Sequence, residues 1–137
     1  MNDEPIWLTY EKVVQINLDL VADTGETHFV RDEHILRSAL DRPYQQFAYG
    51  SEDRIPELTA HTIRAVAQAH AFEQGNKRAA WVAGKVFALA NGYLLEVPKD
   101  RQMQYALLVE QMSAPEGDKQ QIFEDILDLI YEDIREL

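Results

Sequence analysis

Apolar positions recur at helical spacing along almost the whole chain. Tyr10, Val13, Val14 and Val21 share one face of a stretch that Thr9 can cap and Asp23-Thr24-Gly25 can end, which predicts a helix to about Ala22. Asp32 can cap a second, short helix carrying Ile35, Leu36 and Leu40. That helix is expected to stop by Arg42, because Pro43 has no N–H and restricts the residue before it. Residues 43–55 show no helical stripe and hold three aromatics, so they read as an ordered loop or a small hairpin. Pro56 suits the first turn of a third helix, in which Leu58, Ile63, Val66, Ala67 and Ala69 lead to His70.

A fourth helix starts near Asn76 or Lys77 and ends at the Asn91-Gly92 pair. From Ala79 to Ala90 it is apolar nearly all round, the profile of a buried central helix whose alanines admit close neighbours. Two further helices follow, about 99–113 and 118–136, the last with Ile122, Phe123, Ile126, Leu127, Ile130 and Ile134 in register. No repeat, low-complexity tract or linker divides the chain. The expected fold is all-α, one domain over residues 1–137, a helical bundle around the central helix.

Composition narrows the classes of function. At 137 residues the chain can bury one core, and with no cysteine it has neither disulfides nor a thiolate nucleophile. A net charge of −11 argues against nucleic-acid binding, since phosphate backbones demand a basic face. Much of that charge sits in residues 116–137, which hold eight acids against Lys119 and Arg135 and read as a solvated helix face. The start lacks the basic and apolar regions of a secretory signal, and no apolar run approaches a membrane span. The expectation is a cytoplasmic protein that binds neither membrane nor nucleic acid.

The chemistry concentrates in His70-Ala71-Phe72-Glu73-Gln74-Gly75-Asn76-Lys77-Arg78. A helix that opens after a Gly-Asn turn presents free backbone N–H groups and the positive end of its dipole, a ready anion site. Lys77 and Arg78 oppose that dipole unless an anion compensates, a local conflict that itself points to function. His70 stands on the far side of the turn, where a general base for a substrate hydroxyl belongs. Phe72 is expected to pack inward, Gly75 to permit the tight backbone, and Asn76 to cap the helix or steady the loop. His28, His34 and His61 lack paired ligand spacing and read as ordinary histidines. Trp7, Trp81 and Tyr105 read as core residues, and Asp23, Asp32 and Asp100 as caps or turn residues.

His-x-Phe-x-x-Gly-Asn-Lys-Arg resembles the signature of the Fic/Doc superfamily, in the form typical of Doc (death on curing) toxins. Val30-Arg31-Asp32, residues 36–43 and the stretch Phe87-Ala88-Leu89-Ala90-Asn91-Gly92-Tyr93 look like flanking Doc segments, so the resemblance covers about residues 7–112. It implies a compact helical bundle and nucleotide-dependent modification of a protein hydroxyl. Relatives with Gly-Asn-Gly-Arg and a further arginine transfer AMP from ATP. Here Lys77 replaces that glycine and Trp81 the arginine, changes shared with Doc-type toxins, which bind the nucleotide reversed and phosphorylate a threonine of elongation factor Tu. By this resemblance His70 is the base, Lys77 and Arg78 contact phosphate, Asn76 anchors phosphate and loop, and Phe47 and Tyr49 match a flap region that aligns the target by strand addition. Packing of those two aromatics over the bundle is the alternative.

The chain departs from the family at Gln74, where relatives carry the carboxylate that holds Mg²⁺ on the phosphates. An amide oxygen can ligate Mg²⁺ without the charge that makes such a site strong, and Glu73, one residue earlier, is expected to point elsewhere. The sequence therefore leads to a Doc-like kinase toxin using ATP and Mg²⁺, with a translation factor as target and a cognate antitoxin as partner. An adenylyltransferase, or a binding module degenerate through Gln74, is the alternative.

Overall fold

Thr9 starts the first helix by accepting a hydrogen bond from the Lys12 amide at 3.1 Å, and α1 runs Tyr10–Thr24 until left-handed Gly25 stops it. A computed structural model describes residues 3–137. Asp32 caps α2 (Glu33–Gly50) through the Ile35 amide, and α3 (Ile55–Ala69) carries Pro56 in its first turn. The chain continues through α4 (Asn76–Ala90), β1 (Tyr93–Leu95), a 3-10 turn (Lys99–Arg101), α5 (Gln102–Ser113), α6 (Lys119–Asp133) and β2 (Ile134–Glu136). The fold is all-α, as the periodicity predicts, with a small two-stranded antiparallel sheet among the described residues. Among the described residues no helix is long and apolar enough to cross a membrane.

The helix α4 packs against α3, α1, α5 and β1. It shares the centre of the bundle with α3, which is buried along more of its length and also meets α2, α5 and α6. Ala79, Ala80, Ala83, Phe87 and Ala88 are buried, and at Gly84 the Ile63 side chain of α3 packs so closely on α4 that an added Cβ would sit 2.4 Å from its Cγ1. The stripe of Lys77, Arg78, Trp81 and Lys85 is different. It stays partly or fully exposed, as do Leu89 and Ala90 at the C-terminal end, so α4 is not buried all round.

Two expectations about the elements need correction. Residues 43–50 are helix, not loop or hairpin: α2 passes straight through Pro43. The buried positions Leu36, Ala39 and Pro43 continue at helical spacing to Tyr44 and Phe47, which pack edge-on against Trp7 with centroids 5.7 Å away. Trp7 in turn stacks on Phe87 at 5.8 Å. Burial of this aromatic cluster outweighs the one helical hydrogen bond that proline forfeits. Tyr49 remains 84% exposed, and no strand forms in this flap region. At the other end, α6 stops at Asp133, because Ile134, Arg135 and Glu136 pair with Leu95, Leu94 and Tyr93.

Asp133 ties the last helix to α5. Its side chain is 2% exposed, takes bonds from both Nε and Nη2 of Arg101, and accepts a hydrogen bond from the Tyr105 hydroxyl at 2.9 Å. The Arg101 bonds hold the Asp133 carboxyl below the usual carboxylate range, outweighing its burial. The same carboxylate, after burial itself, pushes the Tyr105 hydroxyl well up.

Two stability changes follow from these contacts. Gly84→Ala is expected to cost about 1–3 kcal/mol by overpacking against Ile63, measured by urea unfolding. Asp133→Asn is expected to cost about 1–3 kcal/mol at neutral pH, because Arg101 and Tyr105 lose a charged acceptor. Since the folded carboxyl titrates below its unfolded value of about 3.9, this stabilisation is complete above that pH and fades as acid protonates Asp133. The gap between parent and variant should therefore narrow in acid.

Candidate active site

The signature residues form the connection between α3 and α4. His70 ends α3 in the left-handed region, with φ 48°, which turns the chain sharply at a residue other than glycine. Phe72 then drops into the core, 1% exposed. The segment between α1 and α2 braces the turn: Arg31 N–H donates to Ala71 O at 2.7 Å, and Glu73 N–H to Phe29 O at 3.0 Å. Asn76 clamps it from the other side. Its Oδ1 accepts from the Phe72 amide at 2.9 Å, while its Nδ2 donates to the Phe72 carbonyl at 2.7 Å. Asn76 therefore steadies the loop; the N-cap position itself belongs to Gly75.

Gly75 is needed for two reasons. Its φ of 75° is left-handed, and a Cβ there would lie 3.1 Å from Asn17 Nδ2 and 3.2 Å from Val21 Cγ1. Asn17, fully buried on α1, donates to the Gln74 carbonyl at 2.8 Å and accepts from His28 Nδ1 at 2.9 Å. With Gly75 as N-cap, no side chain caps α4, and its first intrahelical bond runs from the Ala79 amide to Gly75 O. The amides of Asn76, Lys77 and Arg78 precede that bond, at the positive end of the helix dipole.

The charged groups around this tip are arranged unequally. Arg78 Nη2 lies 2.5 Å from Glu26 Oε1, and its Nη1 donates to Thr24 Oγ1 at 3.4 Å. The Thr24 hydroxyl bonds the same carboxylate, and it and Arg78 together hold the Glu26 carboxyl below its ordinary range. Lys77 Nζ is only loosely paired, 4.0 Å from Glu110. His70 is exposed, and its ring Nε2–H donates to the Ser113 carbonyl at 2.8 Å. A carbonyl can only accept, so Nε2 carries a proton and Nδ1 is the nitrogen left for a substrate.

Two cavities meet at Lys77 and Arg78. One, of about 370 Å³, is lined by Glu26, His70, Glu73, Gln74, Gly75, Asn76, Lys77, Arg78 and Ser113. The other, of about 420 Å³, runs along the open stripe of α4 and is walled by Trp81, Lys85, Val97, Gln102, Tyr105, Ala106, Val109 and Glu110. A basic imidazole, an uncapped helix tip and two cations thus converge on one polar hollow with a mostly apolar annex.

The sequence model of the Fic/DOC family matches residues 7–88, which include the whole turn and most of α4. The chain belongs to the Fic/DOC family. Members of that family are typically nucleotide-transferring enzymes that generally use ATP, often with Mg²⁺. A search among curated proteins found no match.

Set against this Fic/DOC signature, His70, Gln74, Gly75, Asn76, Lys77 and Arg78 all line one hollow, with Phe72 beneath them as packing. Glu73 also faces the hollow rather than pointing elsewhere, so a carboxylate and the Gln74 amide stand side by side at its wall. Among the described residues no group of three or more His, Cys, Asp or Glu could by itself hold a metal. One carboxylate and one amide do fit Mg²⁺ that is held mainly by nucleotide phosphates. Tyr105 is buried in the core, as expected, while Trp81 is half-buried against that core; both wall the annex.

Sequence reasoning missed Asn17, Glu26 and Ser113. Asn17 had a signal, since it interrupts the Val13–Val21 stripe on the buried face of α1. Glu26 and Ser113 had none, because only the fold brings them to residues 78 and 70. Glu26→Gln removes the anion that competes for Arg78. The expected result is about two- to fivefold tighter binding of inorganic triphosphate, measured by titration calorimetry. Unchanged or weaker binding would show that Arg78 does not face the anion.

Proposed function

We infer that this protein is a Doc-type toxin of a toxin–antitoxin pair, a protein kinase that moves the γ-phosphate of ATP to a Ser or Thr hydroxyl. By family resemblance the target is a translation factor, elongation factor Tu, so that phosphorylation halts translation in the cytoplasm. The observation that carries this reading is the order of the two cavities along α4. A nucleoside in the apolar annex runs its phosphate chain over Lys77 and Arg78, and the phosphate farthest from the base then reaches His70. The opposite polarity, which nucleotidyl transfer needs, would place the base in the polar hollow.

The chemistry follows from the groups present. His70 Nδ1 takes the proton of the target hydroxyl as its oxygen attacks the γ-phosphorus. The bond from that phosphorus to the β,γ-bridging oxygen breaks, and ADP leaves. The α4 amides, Lys77 and an Arg78 released from Glu26 hold the phosphate charge in place. Mg²⁺, where bound, would be held by Glu73, Gln74 and the phosphates, and would neutralise charge on the latter. A cognate antitoxin is the expected partner, covering the hollow with a segment that folds on binding.

Gln74 favours one other reading, a family member that binds nucleotide or protein and transfers nothing. Incubation with elongation factor Tu and ATP labelled at either the α- or the γ-position separates the cases. Transfer of γ-label alone is expected, and His70→Ala should slow it by about 10²–10⁴-fold. Label from the α-position would replace the kinase with an adenylyltransferase. No label from either, with Gln74→Glu gaining transfer, would mark the parent as a binder.

A further inference from the structure

The residues Lys77, Arg78, Trp81 and Lys85 form an open stripe on α4 that spans about 12 Å along the helix axis. Its first two residues serve the anion site, but Trp81 has no role there. A half-buried tryptophan at the open edge of this helix, beside a cavity, needs another explanation. Its ring centroid lies 4.6 Å from that of Tyr105, with the planes tilted by 46°. Tyr105 cannot turn away, because its hydroxyl is held by buried Asp133, itself gripped by Arg101. Trp81 is thereby backed by a fixed aromatic wall. Lys85 Nζ stands 6.0 Å from the indole centroid, an ammonium on an exposed helix position. Gln102, at the start of α5, adds a rim amide able to donate and accept.

We propose that Trp81 is the stacking platform for the nucleobase of the bound nucleotide. Trp81 would then fix the direction in which the phosphate chain crosses Lys77 and Arg78, and so decide which phosphate His70 meets. The inference rests on the nucleotide reading above and names the residue that gives it polarity. An indole face with a rigid backing ring offers area and polarisability to any flat heterocycle, and Lys85 is displaced toward the ribose and phosphates when the base arrives. A cavity of about 420 Å³ has room for a nucleoside.

The test uses the full chain with ATP and, as a probe without a base, inorganic triphosphate. By calorimetry, Trp81→Ala is expected to raise the Kd for ATP by about 5- to 100-fold. It should leave triphosphate binding unchanged, and Trp81→Phe should restore most of the ATP affinity. The chain has two tryptophans, and Trp7 lies in the aromatic cluster on Phe87. Fluorescence quenching by ATP but not by triphosphate, retained in Trp7→Phe, is therefore expected of Trp81. Equal loss of both ligands in Trp81→Ala, or ATP binding indifferent to that change and without quenching, overturns the stacking role. If triphosphate still binds in a Lys77-dependent manner in those cases, the phosphate site survives and only the base platform fails. If the parent binds neither ligand, the nucleotide reading fails and this inference with it.

Discussion

Everything at this site depends on how one short turn is held open. The chain must leave α3, reverse, and begin α4 without spending the amides at its tip on a capping side chain. Gly75 provides the left-handed N-cap, and the reciprocal bonds of Asn76 to Phe72 take over the job of fixing the backbone. A serine or aspartate cap would be the ordinary solution for helix stability. Here local stability is supplied from outside the helix, by Asn17 on the Gln74 carbonyl and by the strand-like contacts of residues 29–31. Those supports come from α1 and its exit, which lie within the residues that match the family.

Rigidity behind the tip has the same origin. The alanines and Gly84 of α4 let its neighbours approach closely, so the helix cannot pivot without opening the core. The charges in front of it are softer. Arg78 is paired with Glu26 between two half-buried side chains that solvent still reaches, and Lys77 only loosely with Glu110, so both can exchange a carboxylate for a phosphate at modest cost. A fixed frame with exchangeable cations suits a ligand that arrives and leaves in different charge states.

The sequence made the helices and the turn legible where period and capping agreed. Thr9, Asp32, Gly25 and the Asn91-Gly92 pair act as read, and the hollow contains the signature residues expected in it. Pro43 does not end α2, because the stripe Leu36, Ala39, Pro43, Phe47 runs through it toward Trp7 and its packing overrides the local effect of the proline. The end of α6 was hidden for a different reason. Ile134 keeps the helical spacing, yet its partner in pairing, Leu95, lies far away in sequence. Glu26, Ser113 and the walls of the annex were equally out of reach, since residue type alone does not show which loop meets which helix.

The amide of Asn76 gives and receives at a single residue, and that geometry leaves almost no freedom of identity. An aspartate could accept but not give, a leucine could do neither, and glutamine would overshoot by a methylene. Genetic dissection of this turn therefore has a built-in ambiguity at position 76: loss of function there would report a collapsed scaffold before it reported a lost ligand contact.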